Sequence, residues 1–184
     1  MNRLHVCDEA ARLGLHGLNR HLLDYWLALA GDGCVPSHLA FDPVHAGKAL
    51  PGCARFEVII GKKVTCRLAG TVFQLAFGTN LAGEGWLGRT LTAHRRQRLI
   101  RFSAVAPGAI GVARRMILGR DQTRPQVIEE ILLPFVPTDG ATPVLVHSSW
   151  RPQGEEWLGV DGAVGLALAR EFHLIELEVP CNRV

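Results

Sequence analysis

One stretch of the sequence, Glu57–Gly83, constrains the fold more than any other. Two short β-type runs, Glu57–Ile60 and Lys63–Leu68, are hinged at Gly61 and predict two strands joined by a tight turn. The Ala-Gly-Thr sequence that begins at Ala69 then leads into a compact apolar helical turn. A strand pair that delivers the chain into a helix requires the helix to fold back over the sheet. The stretch therefore predicts one wall of an internal pocket.

The remaining sequence predicts helices and three further strands. Apolar residues recur at threes and fours between Leu15 and Leu29, which is typical of a helix, and a second helix is predicted from Thr90 to Val105. The further strands are predicted at Ile110–Leu118, Gln126–Val136 and Pro143–Trp150. Strands joined by tight turns favour an antiparallel sheet. The predicted fold class is α+β, a five-stranded antiparallel sheet with helices on one face, plus an N-terminal helix and a C-terminal extension.

The length of 184 residues suits one domain with additions at its ends. We predict an N-terminal helical extension over residues 1–30, whose first dozen residues are frayed, and a core domain over residues 31–152. Residues 153–184 form a C-terminal extension, in which His173–Val179 alternates like a strand. Apolar residues make up 48% of the chain, which is too many for a disordered protein.

The charge and the cysteines exclude several classes of protein. A formal net charge of +3 is too small to require nucleic acid as a partner. The five cysteines are odd in number and scattered, so the close ligand pair of a structural zinc site is absent. The sequence has neither an apolar run of 18 residues nor the apolar centre of a signal peptide near its start. We therefore predict a cytoplasmic protein with reduced, core-filling thiols.

The first predicted helix has two interpretations. Its apolar stripe consists of Leu15, Leu18, Leu22, Tyr25, Trp26 and Leu29. Such a stripe usually packs on the core of its own domain, and we favour that interpretation. A leucine stripe that precedes a small domain can also pair with its copy in a second chain. The sequence leaves both open, and we expect a homodimer.

Short motifs along the chain resemble those of one family. In the first third they are Leu23-Asp24-Tyr25-Trp26, Pro36, Asp42-Pro43 and Leu50-Pro51. They continue with Arg-Leu-Ala-Gly-Thr from Arg67, Gly-x-x-Leu-x-Gly from Gly78, Leu133-Pro134 and Asp139-Gly140. No single motif is specific, but their order and spacing from Leu22 to Trp150 resemble a group of bacterial stand-alone PAS-like proteins without an assigned role.

The resemblance implies a PAS fold with a cavity between the sheet and its helices. PAS domains sense small molecules, light or redox state and pass the change on through flanking helices. The Asn-Cys-Arg-Phe helix of the flavin photosensors is replaced here by Val72-Phe73-Gln74-Leu75, so photochemical adduct formation is disfavoured. The sequence identifies no cofactor, and we expect any output to run through a separate signalling partner.

The pocket implied by the resemblance has six predicted lining residues. They are Phe73, Phe77, Trp86, Leu91, Met116 and Arg67. Aromatic residues at helical spacing are more often plain core than a ligand site, so that interpretation stays open. Arg67 either forms an ion pair with Glu57 that locks two strands, which we favour, or provides a fork for a ligand carboxylate.

Two other sets of side chains are weaker candidates. A basic outer face is predicted on the second helix, with His94, Arg95, Arg96, Arg98 and Arg101. No aromatic residues are interleaved there for base stacking, so a solvated surface is favoured over phosphate binding. A Ser-His-Asp set can be drawn from Ser148 or Ser149, His147 and Asp139, but no Gly-x-Ser-x-Gly elbow accompanies it. We expect no enzymatic activity.

These observations predict a non-enzymatic sensory and signalling module. A small-molecule ligand or a protein partner would stabilise one packing of the helices over the sheet and change how the Leu15–Leu29 helix is presented. The alternative is a ligand-free structural or protein-interaction domain whose own side chains fill the cavity. Nucleic-acid binding through the Arg95–Arg101 helix is the least favoured interpretation, and no membrane partner is expected.

Overall fold

A computed structural model of the chain describes residues 3–15, 17–31, 35–77, 80–90, 92–106, 108–117, 126–150 and 171–177. Its α-helices are α1 (Arg3–Arg12), α2 (Gly17–Ala30), α3 (Pro43–Ala46), α4 (Thr71–Phe77) and α5 (Arg95–Val105). Its strands are β1 (Cys53–Ile59), β2 (Lys63–Ala69), β3 (Ile110–Ile117), β4 (Gln126–Pro134), β5 (Thr142–Trp150) and β6 (Glu171–Ile175). Short 3-10 turns lie at His38–Ala40, Gly47–Gly52, Trp86–Arg89 and Thr92–His94. None of the described helices has the length and apolar character needed to cross a membrane.

The strands form one sheet in the order β2-β1-β5-β4-β3-β6, and every neighbouring pair is antiparallel. The predicted α+β class and antiparallel sheet are confirmed. The sheet has six strands rather than five, because β6 pairs with β3 from Ile110 opposite Ile175 to Arg114 opposite Glu171. Alternation near His173 predicted a strand there. Periodicity along one segment cannot reveal which strand it pairs with, because that depends on contacts distant in sequence.

Successive residues of the central strands point to opposite sides of the sheet. We call the side covered by α4, α5 and the turn Trp86–Arg89 the α5 face, and its buried core includes Phe56, Val64, Cys66, Phe73, Trp86, Phe102, Ile128, Leu132 and Val146. We call the side covered by α1, α2 and the segment 38–52 the α2 face, and its core includes Val6, Leu22, Leu23, Trp26, Leu27, Ile131, Leu133 and Phe135.

Helices therefore cover both faces of the sheet, whereas the sequence predicted helices on one face. The reason is visible in β4, where Ile128 and Leu132 belong to one core while Ile131 and Leu133 belong to the other. A strand that is apolar on both sides must be buried on both sides. The expectation of a frayed start is also corrected, because α1 buries Val6 on the α2 face.

Gly70 directs the chain from β2 into α4. Its backbone nitrogen donates a hydrogen bond to the carbonyl oxygen of Cys53 at 2.8 Å. A Cβ atom on this residue would lie 2.3 Å from the carbonyl oxygen of Pro51, so no larger residue fits without moving the backbone. The predicted entry from the second strand into a folded-back helix is present at this position.

The apolar stripe of α2 packs on its own domain. Leu22 and Trp26 are 1% exposed, and the indole nitrogen of Trp26 donates to the carbonyl oxygen of Pro134 at 2.8 Å. Tyr25 faces the segment before α3, where its hydroxyl accepts from the backbone nitrogen of Asp42 at 2.8 Å. Leu15 and Leu18 are half-buried against the same core, and Leu29 is half-buried. A dimer through the buried part of the stripe would require α2 to leave the sheet.

Candidate functional site

Four buried aromatic side chains meet on the α5 face. The ring centroid of Trp86 lies 5.0 Å from that of Phe56 and 6.1 Å from that of Phe73. Phe102, on α5, stands edge-on to Phe56 with their centroids 5.5 Å apart. These separations lie in the range of favourable aromatic contacts. The cluster joins α4, α5, β1 and the turn before α5 into one core.

A buried arginine lies against this cluster. The guanidinium carbon of Arg98, on α5, is 5.6 Å from the centroid of the Trp86 ring. Arg98 is 3% exposed, and its two terminal nitrogens have no hydrogen-bond partner in the described part of the chain. The α5 face therefore contains a guanidinium group that is shielded from water and unpaired among the described residues.

Thr90 adds another buried polar group between the Trp86 turn and α5. It is 2% exposed, and its Oγ1 has no hydrogen-bond partner within the described ranges. Its carbonyl oxygen accepts from the Nε of Arg95, at the start of α5, at 3.1 Å. Apart from the Nε of Arg55, the buried unpaired side-chain atoms found in the described residues belong to Thr90 and Arg98. Unpaired buried groups are thus concentrated in one segment of the molecule.

The ring of Trp86 does not compensate the burial of Arg98. An ion buried without a partner costs several kcal/mol, because it loses its hydration. A cation–π contact shielded from water stabilises by about 2 kcal/mol, and it satisfies none of the N–H donors. The energetic balance therefore favours an acceptor that completes this site.

The burial of Arg98 corrects the prediction of a basic, solvated face on this helix. Arg95 and Arg96 are exposed, but Arg98 shares its side of α5 with Phe102 and Val105, which follow it at four and seven residues. That spacing is the apolar period of a helix, so the sequence contained the signal. Arg101 is also drawn in, with its guanidinium carbon 4.9 Å from the centroid of Phe172, and desolvation lowers its pKa.

The predicted pocket residues are only partly brought together. Phe73 and Trp86 belong to the aromatic cluster. Arg67 does not, because it forms an ion pair of 2.6 Å with Glu57, whose neighbours Phe56 and Val58 point to the α5 face. The pair is half-exposed on the opposite side of the sheet and locks β1 to β2. Leu91 and the side chains of Phe77 and Met116 lie outside the described residues.

A buried polar network ties α2 to the sheet on the other face. Asn19, which is fully buried, donates from its amide nitrogen to the Oε1 of Glu129 at 2.9 Å. Its amide oxygen lies 2.6 Å from the Nδ1 of His147. The Nε of Arg114 donates to the Oε2 of Glu129 at 3.2 Å. This network, which we call the Asn19 network, connects α2 with β3, β4 and β5.

The Asn19 network fixes the orientation of its histidine. Because the amide nitrogen of Asn19 faces a carboxylate, its oxygen faces His147, so the Nδ1 of His147 carries the proton and donates. The Nε2 lies beside Gly52, where a Cβ atom would approach it to 2.9 Å. Asn19 was not recognised from the sequence, although a polar residue close to Leu22 and Leu23 on a leucine-rich helix was the available signal.

The described residues of the candidate Ser-His-Asp set do not lie together. His147 points to the α2 face, whereas Ser148 points to the other, where its Oγ donates to the Oε1 of Glu130 at 3.4 Å. Asp139 lies in the exposed turn before β5, and the side chain of Ser149 lies outside the described residues. In the described ranges, no group of three His, Cys, Asp or Glu residues is placed to hold a metal ion.

The comparison with known protein families identifies one family for most of this chain. A family model described as a PAS domain matches residues 15–147. The chain belongs to the PAS domain family. No curated protein and no solved structure matches the chain. PAS domains are in general sensory or interaction domains, and the family match supports this general role for the chain.

The family match defines which elements this PAS domain shares with its relatives. It runs from just before α2 into β5, so it includes the Asn19 network, Trp86 and Arg98. It leaves out α1 and β6, which pack over and beside β3. These two elements are additions to the matched region, and both contribute to the α2-face core through Val6 and Ile175.

Proposed function

We propose that this PAS domain is a non-enzymatic sensory module. A small ligand, or a protein partner, acts at the α5 face and favours one packing of α4 and α5 over the sheet. The change passes through the sheet to α2, which presents it to a signalling partner. A ligand shifts such an equilibrium only by its different affinity for the two packings.

The observation that carries this proposal is that both faces share β4. Ile128 and Leu132 pack in the α5-face core, and Glu129, between them, binds Asn19 of α2. A displacement of β4 beneath α5 moves Glu129 as well, because these residues belong to one backbone segment. The Asn19 network then transmits the displacement to α2, since its buried hydrogen bonds tolerate little change in geometry.

In this proposal α2, the flanking helix, is packed on the sheet. Leu22 and Trp26 already contribute to the core, so a homodimer contact or a partner contact uses the outward residues of α2 or follows its partial release. Arg20 and Asp24, which pair with each other at 3.1 Å on the exposed side, belong to that outward surface. Light scattering at several protein concentrations measures whether the full chain is a dimer.

A ligand-free interaction domain is the second candidate. It is favoured by the contact of Phe56, Trp86 and Phe102, whose rings already occupy much of the α5-face core. In that case the α5 face is a fixed core, and the function lies on the outer surface. The two candidates differ in whether the purified protein retains a small molecule and in whether α2 responds to it.

Hydrogen exchange combined with native mass spectrometry tests the proposal. The full chain is purified under native conditions, and half of it is stripped by unfolding and refolding. We expect a retained small-molecule mass in the first sample only, and slower amide exchange in α2 in that sample. Amides at the turn from Thr138 to Ala141, which is closed by its own backbone hydrogen bonds, serve as the internal control and should exchange equally in both samples.

Two results would count against the sensory proposal. A retained molecule with identical α2 exchange in both samples would remove the signalling route through the sheet. Absence of a retained molecule together with identical exchange would favour the ligand-free domain.

A further inference from the structure

We propose that the α5 face binds a small anionic ligand, one that carries a carboxylate or a phosphate group, through Arg98 and Thr90. This inference rests on the proposed ligand site of the sensory module and names the chemical class of its ligand. The ligand supplies the acceptor that the buried guanidinium group lacks among the described residues.

The geometry of the donors selects an anion with two oxygens. Both terminal nitrogens of Arg98 are unpaired in the described part of the protein. These two nitrogens form a planar fork that matches two oxygens of one carboxylate or phosphate group. A metal cation is disfavoured by the same positive charge. A neutral ligand would accept the hydrogen bonds but leave the charge uncompensated.

Thr90 and Trp86 define the surroundings of the bound group. The hydroxyl of Thr90 is buried and can donate one more hydrogen bond to the anion. Trp86 covers one side of the guanidinium group and positions it. Because Phe56 and Phe73 pack against Trp86, the part of the ligand beyond its anionic group meets an apolar wall.

Glu84, the acidic side chain closest to Trp86 in the sequence, is already paired. Glu84, two residues before Trp86, accepts from the Nε and a terminal nitrogen of Arg89 at 2.9 and 2.7 Å. Arg95, which precedes Arg98 by one turn, uses its Nε on the carbonyl oxygen of Thr90. Within the described segment from Glu84 to Arg98, the buried side-chain donors that lack a partner are those of Arg98 and Thr90, and a buried anion would bind there.

The test is the thermal stability of the full chain, titrated at constant ionic strength with inorganic phosphate or with acetate, chloride being the balancing ion. We expect a saturable rise in melting temperature of about 5 °C for at least one probe. Arg98→Met should abolish the rise, and Thr90→Val should shift its midpoint to higher concentration. Arg96→Met removes an equal charge from the exposed side of the same helix and should retain the full rise.

The unliganded variants provide a second readout. In chloride alone, Arg98→Met should melt at the same or a higher temperature than Arg96→Met, because it removes a buried unpaired charge. Arg98→Lys keeps the charge but loses the fork, so it should weaken binding of the active probe about tenfold or more. Arg98→Lys also replaces Arg98→Met as the test variant if Arg98→Met does not fold. Which probe acts decides between a carboxylate and a phosphate group.

Two outcomes would overturn the anion site. One is an equal response of the wild type and Arg98→Met to both probes, which would mean a general salt effect. The other is a clear loss of stability for Arg98→Met in chloride, which would show that a carboxylate of the chain itself pairs with Arg98. A saturable, Arg98-dependent rise without any change in α2 exchange would keep the anion site and remove the signalling route. A retained neutral molecule, together with an equal response of the wild type and Arg98→Met to both probes, would keep the sensory proposal and, as the first of these outcomes, remove the anion site.

Discussion

The two faces of the sheet differ in how far their buried polar groups are paired. On the α2 face, Asn19, Glu129 and His147 are buried and hydrogen-bond one another. On the α5 face, Ser148 donates to Glu130, but Arg98 and Thr90 are also buried and contain atoms without partners in the described chain. A paired buried network fixes one arrangement of the elements that it joins. Unpaired buried groups mark a place where a further molecule can bind.

The difference also concerns what each face can tolerate. The Asn19 network depends on directional hydrogen bonds, so small displacements of α2 are costly. The aromatic cluster depends on ring contacts, which are less directional than hydrogen bonds. In the proposed function, the aromatic side receives the change and the rigid side reports it.

The largest expected effect comes from the α5-face core. Phe56→Ala should lower the free energy of unfolding by about 4 kcal/mol, because it removes a fully buried ring between Trp86 and Phe102. Urea unfolding measures this change. The control is Ile59→Ala, on the exposed end of the same strand, which should cost less than about 1 kcal/mol. Similar losses for the two variants would mean that the aromatic cluster is not a packed core.

The Asn19 network gives the next effect. Asn19→Leu keeps the size of the side chain but removes a partner of both Glu129 and His147, and we expect a loss of about 3 kcal/mol in unfolding free energy. Arg20→Ala, the neighbouring residue in an exposed pair with Asp24, should cost about 0.5 kcal/mol or less. If Asn19→Leu were neutral, the α2 face would owe its rigidity to apolar packing alone.

A smaller loss of stability is expected at Gly52, which lies next to His147 of the Asn19 network. Gly52→Ala places a Cβ atom 2.9 Å from both the Nε2 of His147 and the carbonyl oxygen of Ser148. We expect a loss of about 2 kcal/mol, because the backbone oxygen cannot move aside easily. Gly85→Ala has open space and ordinary backbone angles, so its melting temperature should stay at that of the wild type. An equal stability of the two variants would show that both the His147 ring and the backbone at Ser148 can move aside at little cost.

The smallest expected effect concerns one thiol from each face. Burial raises the pKa of Cys53 to about 12 and that of Cys66 to about 11. The unfolded thiols lose their protons near pH 9, before the folded ones do, so stability should fall as pH rises from 9 towards 11. At about pH 10 each thiol contributes a loss of about 1 kcal/mol.

Urea unfolding at neutral and alkaline pH checks this dependence. Cys53→Ala and Cys66→Ala should each flatten the alkaline decline, whereas Cys7→Ala, at a half-buried thiol on α1, is the control. A decline that neither core variant changes would contradict the assignment. Unequal flattening would show which face excludes water better.

Local pattern was sufficient to predict most strands and α2. The strands that begin at Lys63 and Ile110 start where their alternation starts, and α2 follows its leucine period. Phe73 and Trp86, which the family resemblance indicated as pocket residues, both lie in the aromatic cluster, and their role in a pocket stays a prediction. These features depend on residues that are close together in sequence.

The rest depends on contacts between distant residues. Asn19 and Glu129 are 110 positions apart, and no periodicity links them. Likewise, β6 joins the sheet at the edge formed by β3, and the selection of this edge depends on contacts that exist only in the folded protein. Arg98 was placed on the solvent side because of its charge, although its spacing to Phe102 indicated the core. Chemical type outweighed position in that prediction, and position was the better guide.

The side chain of Arg114 binds both the residue that follows α1 and a residue of β6. Its guanidinium donates to the carbonyl oxygen of Leu13 after α1, to Glu171 of β6 at 3.2 Å and to Glu129 of β4. Trimming the protein to the region shared with its family would strip away two of these three acceptors. We therefore expect α1 and β6 to unfold together. A protein shortened to residues 15–147 should show faster local opening around Arg114 than the full chain.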